Sequence, residues 1–444
     1  MRVSIVGTGY VGLVSGVGLA EIGHRVTCID IDERKVEMIR SAKAPIHEPG
    51  LEDLLARTSG TSLFATTDLH AAVLDSDLTM IAVGTPFDGE RIDLSYIETA
   101  AEQIGKALAE KDSYHVVVVK STVVPGTTRT VVLPILEQAS GKRAGADFGV
   151  GMNPEFLAEG NAVVDFSSPD RIVFGGIDQR SQDTLADLYA PFTAADTLRT
   201  DTDTAEMIKY TANSLLATLI SFSNEIGNLC AEVGVDVVDA MAGVHLDKRL
   251  SPILGDGQRV RPGLLSFLAA GCGFGGSCFP KDVKALVAYG RSRGQAMPVL
   301  DAVLATNKAQ PSRLIELLQR RLPELAGRRI AVLGMAFKPD TDDIRESPAL
   351  PVTEQLLDAG AQVVAYDPEA TENARAVFGD RVRFAGSLPD AVQGVDAVVL
   401  VTRWAEFTGL AQVLADAGLD VPVIDGRRLL DKAAFTQYEG IGLG

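Results

Sequence analysis

Cys278 lies in a glycine-rich run, Gly273-Phe274-Gly275-Gly276-Ser277-Cys278-Phe279-Pro280-Lys281-Asp282, whose residue types suit covalent chemistry. Glycines before the thiol let backbone and substrate approach each other closely, because glycine has no side chain to exclude them. Lys281 places a cation three residues after the thiol, and a nearby cation favours the nucleophilic thiolate. Asp282 could orient a base, a water or a proton. For this run taken alone, the alternative is a buried cysteine in a glycine-rich loop.

The run Gly7-Thr8-Gly9-Tyr10-Val11-Gly12 has the spacing of a dinucleotide-binding turn. It directly follows an apolar stretch at residues 2–6 and precedes a helical pattern that ends near Ile22. In that context the first glycine makes the turn, the second admits a pyrophosphate, and the third lets helix and strand pack closely. The helix N-terminus then supplies amide donors to the phosphates. The sequence therefore predicts a Rossmann-type dinucleotide site.

Asp30 ends the next apolar stretch, at residues 25–29, and indicates which dinucleotide binds. A carboxylate at this place accepts hydrogen bonds from the adenosine ribose and repels a 2′-phosphate, which favours NAD over NADP. Arg34 and Lys35 follow closely, and their charges could receive a 2′-phosphate. NAD is therefore the predicted cofactor, with NADP left open by these two residues.

Three further groups have suitable residue types, each with a structural alternative. Lys209 and Asn213 are four residues apart in a helical pattern and so share a face, although the spacing alone favours an exposed lysine beside a polar residue. Glu155 and Glu159 could form a carboxylate pair or simply begin a solvated helix. Lys120-Ser121-Thr122 ends an apolar strand, where the carboxyl edge of a sheet meets its ligand, although turn chemistry also explains the hydroxyls.

The predicted elements that position these groups fall into three sections, at residues 1–200, 201–310 and 311–444. The first section alternates helices with strands and predicts a doubly wound parallel sheet, with strands at 2–6, 25–29, 78–83, 115–119, 148–151 and 171–174. The second begins with one helix of about 30 residues, from Thr204 to Gly234, because apolar residues recur there at helical spacing. More helix is predicted to about 245 and around 283–309.

The third section predicts a second Rossmann-like sheet, with strands at 329–333, 362–366, 396–401 and 421–424. Its first turn, Gly334-Met335-Ala336-Phe337-Lys338, lacks the three-glycine spacing and should not hold a second dinucleotide in the same way. The fold class is thus α/β, with two Rossmann-like doubly wound parallel-sheet domains joined by a long central helix and a helical middle domain. A helix this long links domains or packs on a partner subunit.

Composition and charge exclude several classes of protein. A chain of 444 residues, 46% hydrophobic and 23% charged, fits a folded protein of two or three domains. A net charge of −18 argues against nucleic acid or an anionic membrane as a bulk partner, so an anionic substrate needs a local cluster of basic residues. The four cysteines make no disulfide framework, and no His/Cys partner set predicts a metal site. Without a signal peptide or a membrane-spanning stretch, we expect a cytoplasmic protein.

These motifs together resemble the UDP-glucose/GDP-mannose dehydrogenases, and within them most closely the UDP-glucose 6-dehydrogenases. The resemblance covers nearly the whole chain. It rests on the two glycine runs above and on Val83-Gly84-Thr85-Pro86, Lys120-Ser121-Thr122, Asn153 to Gly160, Lys209 with Asn213, Phe337-Lys338-Pro339-Asp340 through Arg345-Glu346-Ser347, and Asp425-Gly426-Arg427-Arg428.

The resemblance implies a four-electron oxidation of a sugar C6 alcohol to a carboxylate, with two NAD used in succession. An aldehyde carbon has no good route to a second hydride loss until a nucleophile adds to it. By similarity, Cys278 adds to the aldehyde, the thiohemiacetal becomes a thioester, and water hydrolyses the thioester. A two-electron dehydrogenase of the 6-phosphogluconate type shares the architecture but needs no covalent thiol. A non-catalytic NAD-binding sensor is a third alternative.

The resemblance also implies three sets of site residues. The catalytic set is Cys278, Lys209, Asn213, Asp282, Thr122 and Glu159. The cofactor set is Gly7, Gly9, Tyr10, Val11, Gly12, Asp30, Lys35, Thr85, Thr122, Glu159, Lys281 and Arg345. The substrate set is Glu155, Phe156, Leu157, Lys209, Asn213, Arg249, Phe267, Gly273, Phe274, Gly275, Cys278, Phe279, Phe337, Lys338 and Arg427.

By similarity, Lys209 stabilises the developing oxyanion and Asn213 helps to hold the substrate. Thr122, Glu159 and Asp282 are implied to orient water and relay protons. Lys338 is implied to bind the nucleotide sugar and Arg427 to contact its diphosphate, whereas Arg345 is implied to reach the cofactor. UDP-glucose is the expected substrate, with GDP-mannose or dTDP-glucose as alternatives, and the expected assembly is a homodimer or a higher homo-oligomer.

Two departures from the family pattern bear on these expectations. Arg249 resembles an arginine that crosses into a neighbouring subunit's site, but residues 251–264 look like an insertion beside it. Arg259 or Arg261 could take over its role. Ala269 stands where many relatives carry a lysine or histidine, so one polar substrate contact is missing or replaced.

Overall fold

The computed structural model describes all 444 residues, and their contacts divide them into two units, Met1–Ala212 and Asn213–Gly444. The boundary falls inside the long helix Thr202–Glu232, so each unit receives part of one continuous element. The division into sections at 1–200, 201–310 and 311–444 stays a prediction. None of the helices combines the length and the apolar character that crossing a membrane requires.

The first unit is built on an eight-stranded sheet in the order β3-β2-β1-β4-β5-β6-β7-β8. Neighbouring strands are parallel except for β6 with β7. The strands are β1 (Arg2–Val6), β2 (Arg25–Ile29), β3 (Leu63–Thr66), β4 (Leu78–Ile81), β5 (Val116–Val119), β6 (Gly149–Met152), β7 (Arg171–Gly176) and β8 (Asp196–Thr200). The predicted doubly wound sheet is confirmed, and its order is that of a dinucleotide-binding fold.

Two strands of this sheet were absent from the sequence prediction. β8 is an edge strand with exposed or half-exposed residues throughout, so it has no buried apolar face to give a signal. β3, at the other edge, has only four residues. Eight helices accompany the sheet: α1 (Tyr10–Glu21), α2 (Glu33–Arg40), α3 (Leu51–Thr58), α4 (Leu69–Leu74), α5 (Ser95–Ala109), α6 (Leu133–Ser140), α7 (Ala162–Ser167) and α8 (Gln179–Leu188).

The helical region that follows begins with α9 (Thr202–Glu232), a helix of 31 residues that confirms the predicted long helix. The remaining helices of this region are α10 (Val237–His245), α11 (Phe279–Ser292) and α12 (Pro298–Arg321). The helix predicted around 283–309 is thus two helices. Gly294, with φ +76°, takes the left-handed conformation between them, and Pro298 begins α12.

The second unit ends in a six-stranded, wholly parallel sheet in the order β11-β10-β9-β12-β13-β14. The strands are β9 (Arg329–Leu333), β10 (Gln362–Tyr366), β11 (Arg383–Phe384), β12 (Ala397–Leu400), β13 (Val423–Asp425) and β14 (Tyr438–Gly440), with helices α13 (Ala349–Asp358), α14 (Thr371–Phe378), α15 (Leu388–Ala391) and α16 (Leu410–Asp416). From β9 the chain builds outwards through β10 and β11, and then returns to the other side at β12. The carboxyl ends of β9 and β12 therefore form a topological switch point, where such sheets bind ligands.

A buried chain of polar side chains crosses the amino edge of the first sheet. Nε2 of His115 lies 2.8 Å from the Thr79 hydroxyl, which lies 2.7 Å from that of Ser4. Nδ1 of His115 lies 3.1 Å from the Ser76 carbonyl, so it carries the proton in the neutral ring. Burial, aided by the neighbouring Lys111 charge, lowers the pKa of His115 to about 3.

His115 should therefore make the protein lose stability in mild acid. The unfolded chain protonates this histidine below about pH 6.5 while the folded chain does not, so stability falls as pH drops, by about 2 kcal/mol at pH 5. Urea unfolding measures the free energy of unfolding at pH 7.5 and at pH 5. We expect this free energy to fall by about 2 kcal/mol less in His115→Gln than in the wild type. His70→Gln, at an exposed histidine on α4, is the matched control. An unchanged acid loss in His115→Gln would contradict the prediction.

Candidate active site

The glycine turn after β1 fits a dinucleotide pyrophosphate. Gly7 has φ +98°, and a Cβ on Gly12 would lie 1.9 Å from the Gly7 carbonyl oxygen, so neither position accepts a side chain. Gly9, by contrast, faces open space, since a Cβ there would meet nothing within 4 Å. Gly9 also caps α1 without a side-chain hydrogen bond, and Tyr10 and Val11 begin the helix. The space above Gly9 and the first amides of α1 are therefore available to phosphates.

Asp30, at the end of β2, is held in place by the same turn. Its Oδ2 accepts hydrogen bonds from the Thr8 amide at 2.9 Å and the Thr8 hydroxyl at 2.5 Å, and Oδ1 accepts from the Asp32 amide. Burial opposes ionisation, but these hydrogen bonds outweigh it and lower the pKa of Asp30. The ammonium of Lys35 lies 3.9 Å from Oδ2. The result is a fixed carboxylate with a cation beside it, suited to a ribose diol.

Removing this carboxylate should weaken the preference for NAD. We expect Asp30→Ala to lower the ratio of kcat/KM for NAD to that for NADP by at least about tenfold, because it removes a charge-assisted acceptor and releases Lys35 towards a 2′-phosphate. Steady-state rates with both cofactors measure the ratio. Asp75→Ala removes an exposed carboxylate that pairs with Arg2 and should leave the ratio unchanged. An unchanged ratio in Asp30→Ala would remove Asp30 from the cofactor set.

A buried carboxylate that the sequence prediction missed joins the glycine turn to the 153–160 loop. Glu48, which is 6% exposed, accepts hydrogen bonds from the Tyr10 hydroxyl, from the Gly160 amide at 2.7 Å and from the Ala162 amide at 2.7 Å. The Tyr10 hydroxyl in turn accepts from the Gly160 amide at 2.8 Å. Since Glu159 precedes Gly160, this network fixes the backbone beside a predicted catalytic residue. No local pattern marks Glu48, because Tyr10 lies 38 residues away in sequence and the Gly160 and Ala162 amides lie more than 100 residues away.

The carboxyl ends of β4 and β5 bring two predicted residues together. The hydroxyl of Thr85 donates to the carbonyl of Thr122 at 2.8 Å. Lys120, fully buried beside them, donates to Oδ1 of Asn153 at 2.9 Å. Burial lowers the pKa of Lys120 to about 8. The carboxyl edge predicted from the Lys-Ser-Thr run thus carries hydroxyls and an amine, as expected of a ligand-facing edge.

Lys209 and Glu155 form a buried ion pair. The ammonium of Lys209 lies 2.8 Å from Oε1 of Glu155, and each side chain is 4% exposed. Glu155 also accepts from the Leu157 amide at 2.6 Å. Burial opposes its ionisation, but Lys209 and that amide outweigh burial and lower the pKa of Glu155. The pair therefore keeps a charged lysine in a dry environment, where a cation acts strongly on a developing anion.

The ring of Phe156 extends this arrangement. The ammonium of Lys209 lies 5.6 Å from the ring centroid, and the guanidinium carbon of Arg171 lies 4.0 Å from it. Phe156 and Leu157 also line a cavity of about 240 Å³ in this unit, together with Glu155. All three predicted substrate residues of the 153–160 loop therefore border one space.

In the second unit, Cys278 occupies the residue before α11. Its side chain is half-buried, and its carbonyl accepts the Asp282 amide at 2.8 Å. Gly275 and Gly276 pass too close to neighbouring chain for side chains, since added Cβ atoms would lie 2.3 Å from the Glu346 carbonyl and 2.8 Å from the Phe337 ring. The glycine run therefore packs tightly and presents the thiol at a helix N-terminus, a location that favours a thiolate.

Asp282 lies between two predicted residues. Its Oδ2 accepts from the Asn213 amide nitrogen at 2.6 Å, and its Oδ1 accepts from the Lys281 ammonium at 2.6 Å. Asp282 is 1% exposed. Lys281, which the sequence placed near the thiol as a cation, is thus paired with a carboxylate. Asn213, the partner of this buried carboxylate, lies on α9.

A cavity of about 390 Å³ opens beside this loop within the second unit. Eight of the predicted substrate residues line it, namely Phe267, Gly273, Phe274, Gly275, Phe279, Phe337, Lys338 and Arg427. Arg427 is fixed by donating to the Val401 carbonyl at 2.7 Å and to the Gly273 carbonyl at 2.9 Å. Ala269 also lines the cavity, without a polar group at that point.

Two predicted arginines do not line this cavity. Arg249 forms a two-point ion pair with Asp247, at 2.5 Å for the closest atoms, and its side chain is 85% exposed. Arg345 pairs in the same way with Asp343 and is 63% exposed. Arg259 donates to the carbonyls of Leu246 and Ser251 and so holds the 251–264 segment together. The roles given to these arginines stay predictions.

Three models of one protein family match this chain in sequence. The NAD binding domain of the UDP-glucose/GDP-mannose dehydrogenase family matches residues 1–193, its central domain matches 203–309, and its UDP binding domain matches 331–432. The chain belongs to the UDP-glucose/GDP-mannose dehydrogenase family. It is therefore an oxidoreductase that uses NAD and acts on nucleotide sugars, and the glycine turn is the expected place for NAD.

Individual relatives of this dehydrogenase cover its whole length. A UDP-glucose 6-dehydrogenase of Haloferax volcanii is 45% identical and aligns over 99% of this chain and 100% of its own. A GDP-mannose 6-dehydrogenase of Pseudomonas putida is 39% identical over 99% of this chain and 100% of its own. The solved UDP-glucose dehydrogenase of Pyrobaculum islandicum superposes with a TM-score of 0.91 at 40% identity, covering 100% of this chain and 98% of that one.

Proposed function

We propose that this dehydrogenase oxidises UDP-glucose to UDP-glucuronate. The observation that carries the proposal is the half-buried Cys278 at the N-terminus of α11, in the second unit with Asp282 and the cation-lined cavity. The conversion of a C6 alcohol and one water to a carboxylate releases two hydrides and three protons. NAD, when bound at the glycine turn, supplies the acceptor for each hydride.

The thiol accounts for the second oxidation. Loss of the first hydride and of the hydroxyl proton leaves an aldehyde, and Sγ of Cys278 forms a C–S bond to its carbon while the oxygen takes a proton. Loss of the second hydride and of that proton gives a thioester. Water then attacks the carbonyl carbon, the C–S bond breaks, and the thiolate leaves.

The buried polar groups have distinct roles in the proposal. Lys209, kept charged by Glu155, stabilises the oxyanions that form at C6. Asp282, fixed by Asn213 and Lys281, takes and returns protons. Thr122 and Glu159, the other members of the catalytic set, orient water. The residues of the glycine turn, Gly7 to Gly12, hold the pyrophosphate of NAD.

The substrate itself is tested by comparing nucleotide sugars. We expect kcat/KM for UDP-glucose to exceed that for GDP-mannose and dTDP-glucose by at least tenfold, because five of the similar proteins with 40% identity or more are named for UDP-glucose. GDP-mannose is the second candidate, since relatives with that name are 38–39% identical. Faster turnover of GDP-mannose would replace the substrate and leave the chemistry unchanged. Turnover of none of the three would contradict the proposal.

The protein is also proposed to act as a homodimer, or higher homo-oligomer, in the cytoplasm, which supplies NAD and keeps thiols reduced. Three apolar residues of α9, Leu215, Phe222 and Leu229, recur every seven residues and are 53%, 51% and 59% exposed. An exposed apolar stripe with this spacing is typical of a helix that packs against another helix.

A charge in this stripe should dissociate the assembly. We expect Phe222→Glu to sediment as a monomer at micromolar concentration, whereas the wild-type protein sediments as a dimer or larger species. Val377→Glu changes a 51% exposed valine on α14 and should leave the assembly intact. A wild-type monomer, or an unchanged assembly in Phe222→Glu, would contradict the use of this surface.

A further inference from the structure

Arg403 lies at the switch point of the second sheet, where no sequence motif drew attention to it. It follows β12 by three residues, while Lys338 follows β9 and Arg427 follows β13. Thr402 is packed against Gly334 of the first turn, since a Cβ on that glycine would lie 2.3 Å from the Thr402 Cβ. The three cations therefore stand at the carboxyl edge of adjacent strands, and all three line the 390 Å³ cavity.

The cavity has no acidic residue to balance this charge. None of its lining residues is aspartate or glutamate, in a chain whose net charge is −18. Asp425, two residues before Arg427, is buried and accepts from the amides of Arg427 and Leu430 and from the Tyr438 hydroxyl. The charge on the cavity wall is thus left for a ligand.

Most of the N–H donors of the Arg403 guanidinium make no hydrogen bond within the protein. Its single hydrogen bond is a long one, 3.3 Å to the Arg427 carbonyl, and a guanidinium has five N–H donors. Burial, with the neighbouring Arg427 charge, lowers the pKa of Arg403. Arg427, by contrast, is committed to two carbonyls. An arginine held against a second arginine costs electrostatic free energy that an anionic ligand would remove.

We propose that Arg403 binds the diphosphate of the nucleotide sugar, as a third cation beside Lys338 and Arg427. The inference rests on the proposed function, because it takes a nucleoside diphosphate as the ligand of this cavity. Arg403 acts on binding and not on the oxidation. It should therefore set the KM for the nucleotide sugar and the affinity for the free nucleoside diphosphate.

The test uses calorimetric titration of the full-length protein with UDP and UMP, and with GDP and GMP. For the nucleoside diphosphate that the wild-type protein binds, we expect Arg403→Ala to weaken affinity about tenfold, the effect of losing one charge-assisted contact. The affinity for the nucleoside monophosphate with the same base should fall less. The preference of the protein for diphosphate over monophosphate is therefore expected to be smaller in Arg403→Ala than in the wild type. Arg403→Lys should be intermediate. In turnover, KM should rise about tenfold in Arg403→Ala with kcat within twofold.

Arg375→Ala is the matched control, because it removes an exposed arginine of α14 in the same unit and should leave both affinities unchanged. The inference is overturned if Arg403→Ala binds the diphosphate as tightly as the wild type, or loses mono- and diphosphate affinity equally. It is also overturned if the wild type binds neither UDP nor GDP. Failure of the proposed function would give a different result. Arg403→Ala would still show the expected loss of diphosphate affinity, but the wild type would not oxidise UDP-glucose.

Discussion

Cys278→Ala is expected to lower the rate of UDP-glucuronate formation by a factor of about 10³ or more, since no other group in the proposal can make the aldehyde competent for a second hydride loss. Binding of NAD should not change, because Cys278 belongs to the catalytic and substrate sets and not to the cofactor set. Rates are measured by product chromatography and NAD affinity by fluorescence titration.

A matched substitution separates chemistry from folding. Cys230→Ala changes a cysteine that is 8% exposed in the core of the second unit and should retain turnover within a few-fold. In the wild type, rapid acid quenching followed by peptide mass spectrometry should find the sugar nucleotide on the Cys278 peptide. A Cys278→Ala variant that still forms UDP-glucuronate at a wild-type rate would exclude the thioester route.

Lys209→Met is expected to lower kcat by about 10² to 10³, because it removes the charge proposed to stabilise the oxyanions of both oxidation steps. It should also destabilise the protein by about 3 kcal/mol, since Glu155 loses its partner while buried. Turnover at saturating substrate gives the first effect and urea unfolding the second.

The double variant Lys209→Met/Glu155→Gln distinguishes these two effects. Removing the unpaired carboxylate should restore most of the stability, while kcat stays low because the ammonium is still absent. If restored stability also restored kcat, Lys209 would have a structural role only, and the proposed role in catalysis would be wrong.

Local rules explain why the cofactor turn could be predicted from sequence. Each glycine of the run 7–12 answers a requirement within the same strand–turn–helix unit, and Asp30 ends the neighbouring strand. The long helix was equally accessible, because apolar periodicity over 31 residues is a strong signal. The edge strand β8 was missed, since its residues are exposed and carry no such pattern.

Residues defined by distant partners could not be predicted in the same way. Glu48 owes its place to the amides of Gly160 and Ala162, and Asp282 is joined to Asn213 across 69 positions. The resemblance to a family pointed to Asp282 and Asn213, but nothing in the sequence pointed to Glu48. Arg403 is a lone arginine after a strand, and only the sheet topology places it with two other cations.

The most direct measurement is the number of NADH formed per UDP-glucose consumed, followed at 340 nm to completion with NAD in excess. A ratio of about two is predicted, because both hydrides leave the same carbon on one enzyme before the thioester is hydrolysed. A ratio near one, with the aldehyde as product, would contradict the covalent role of Cys278 and leave a two-electron dehydrogenase.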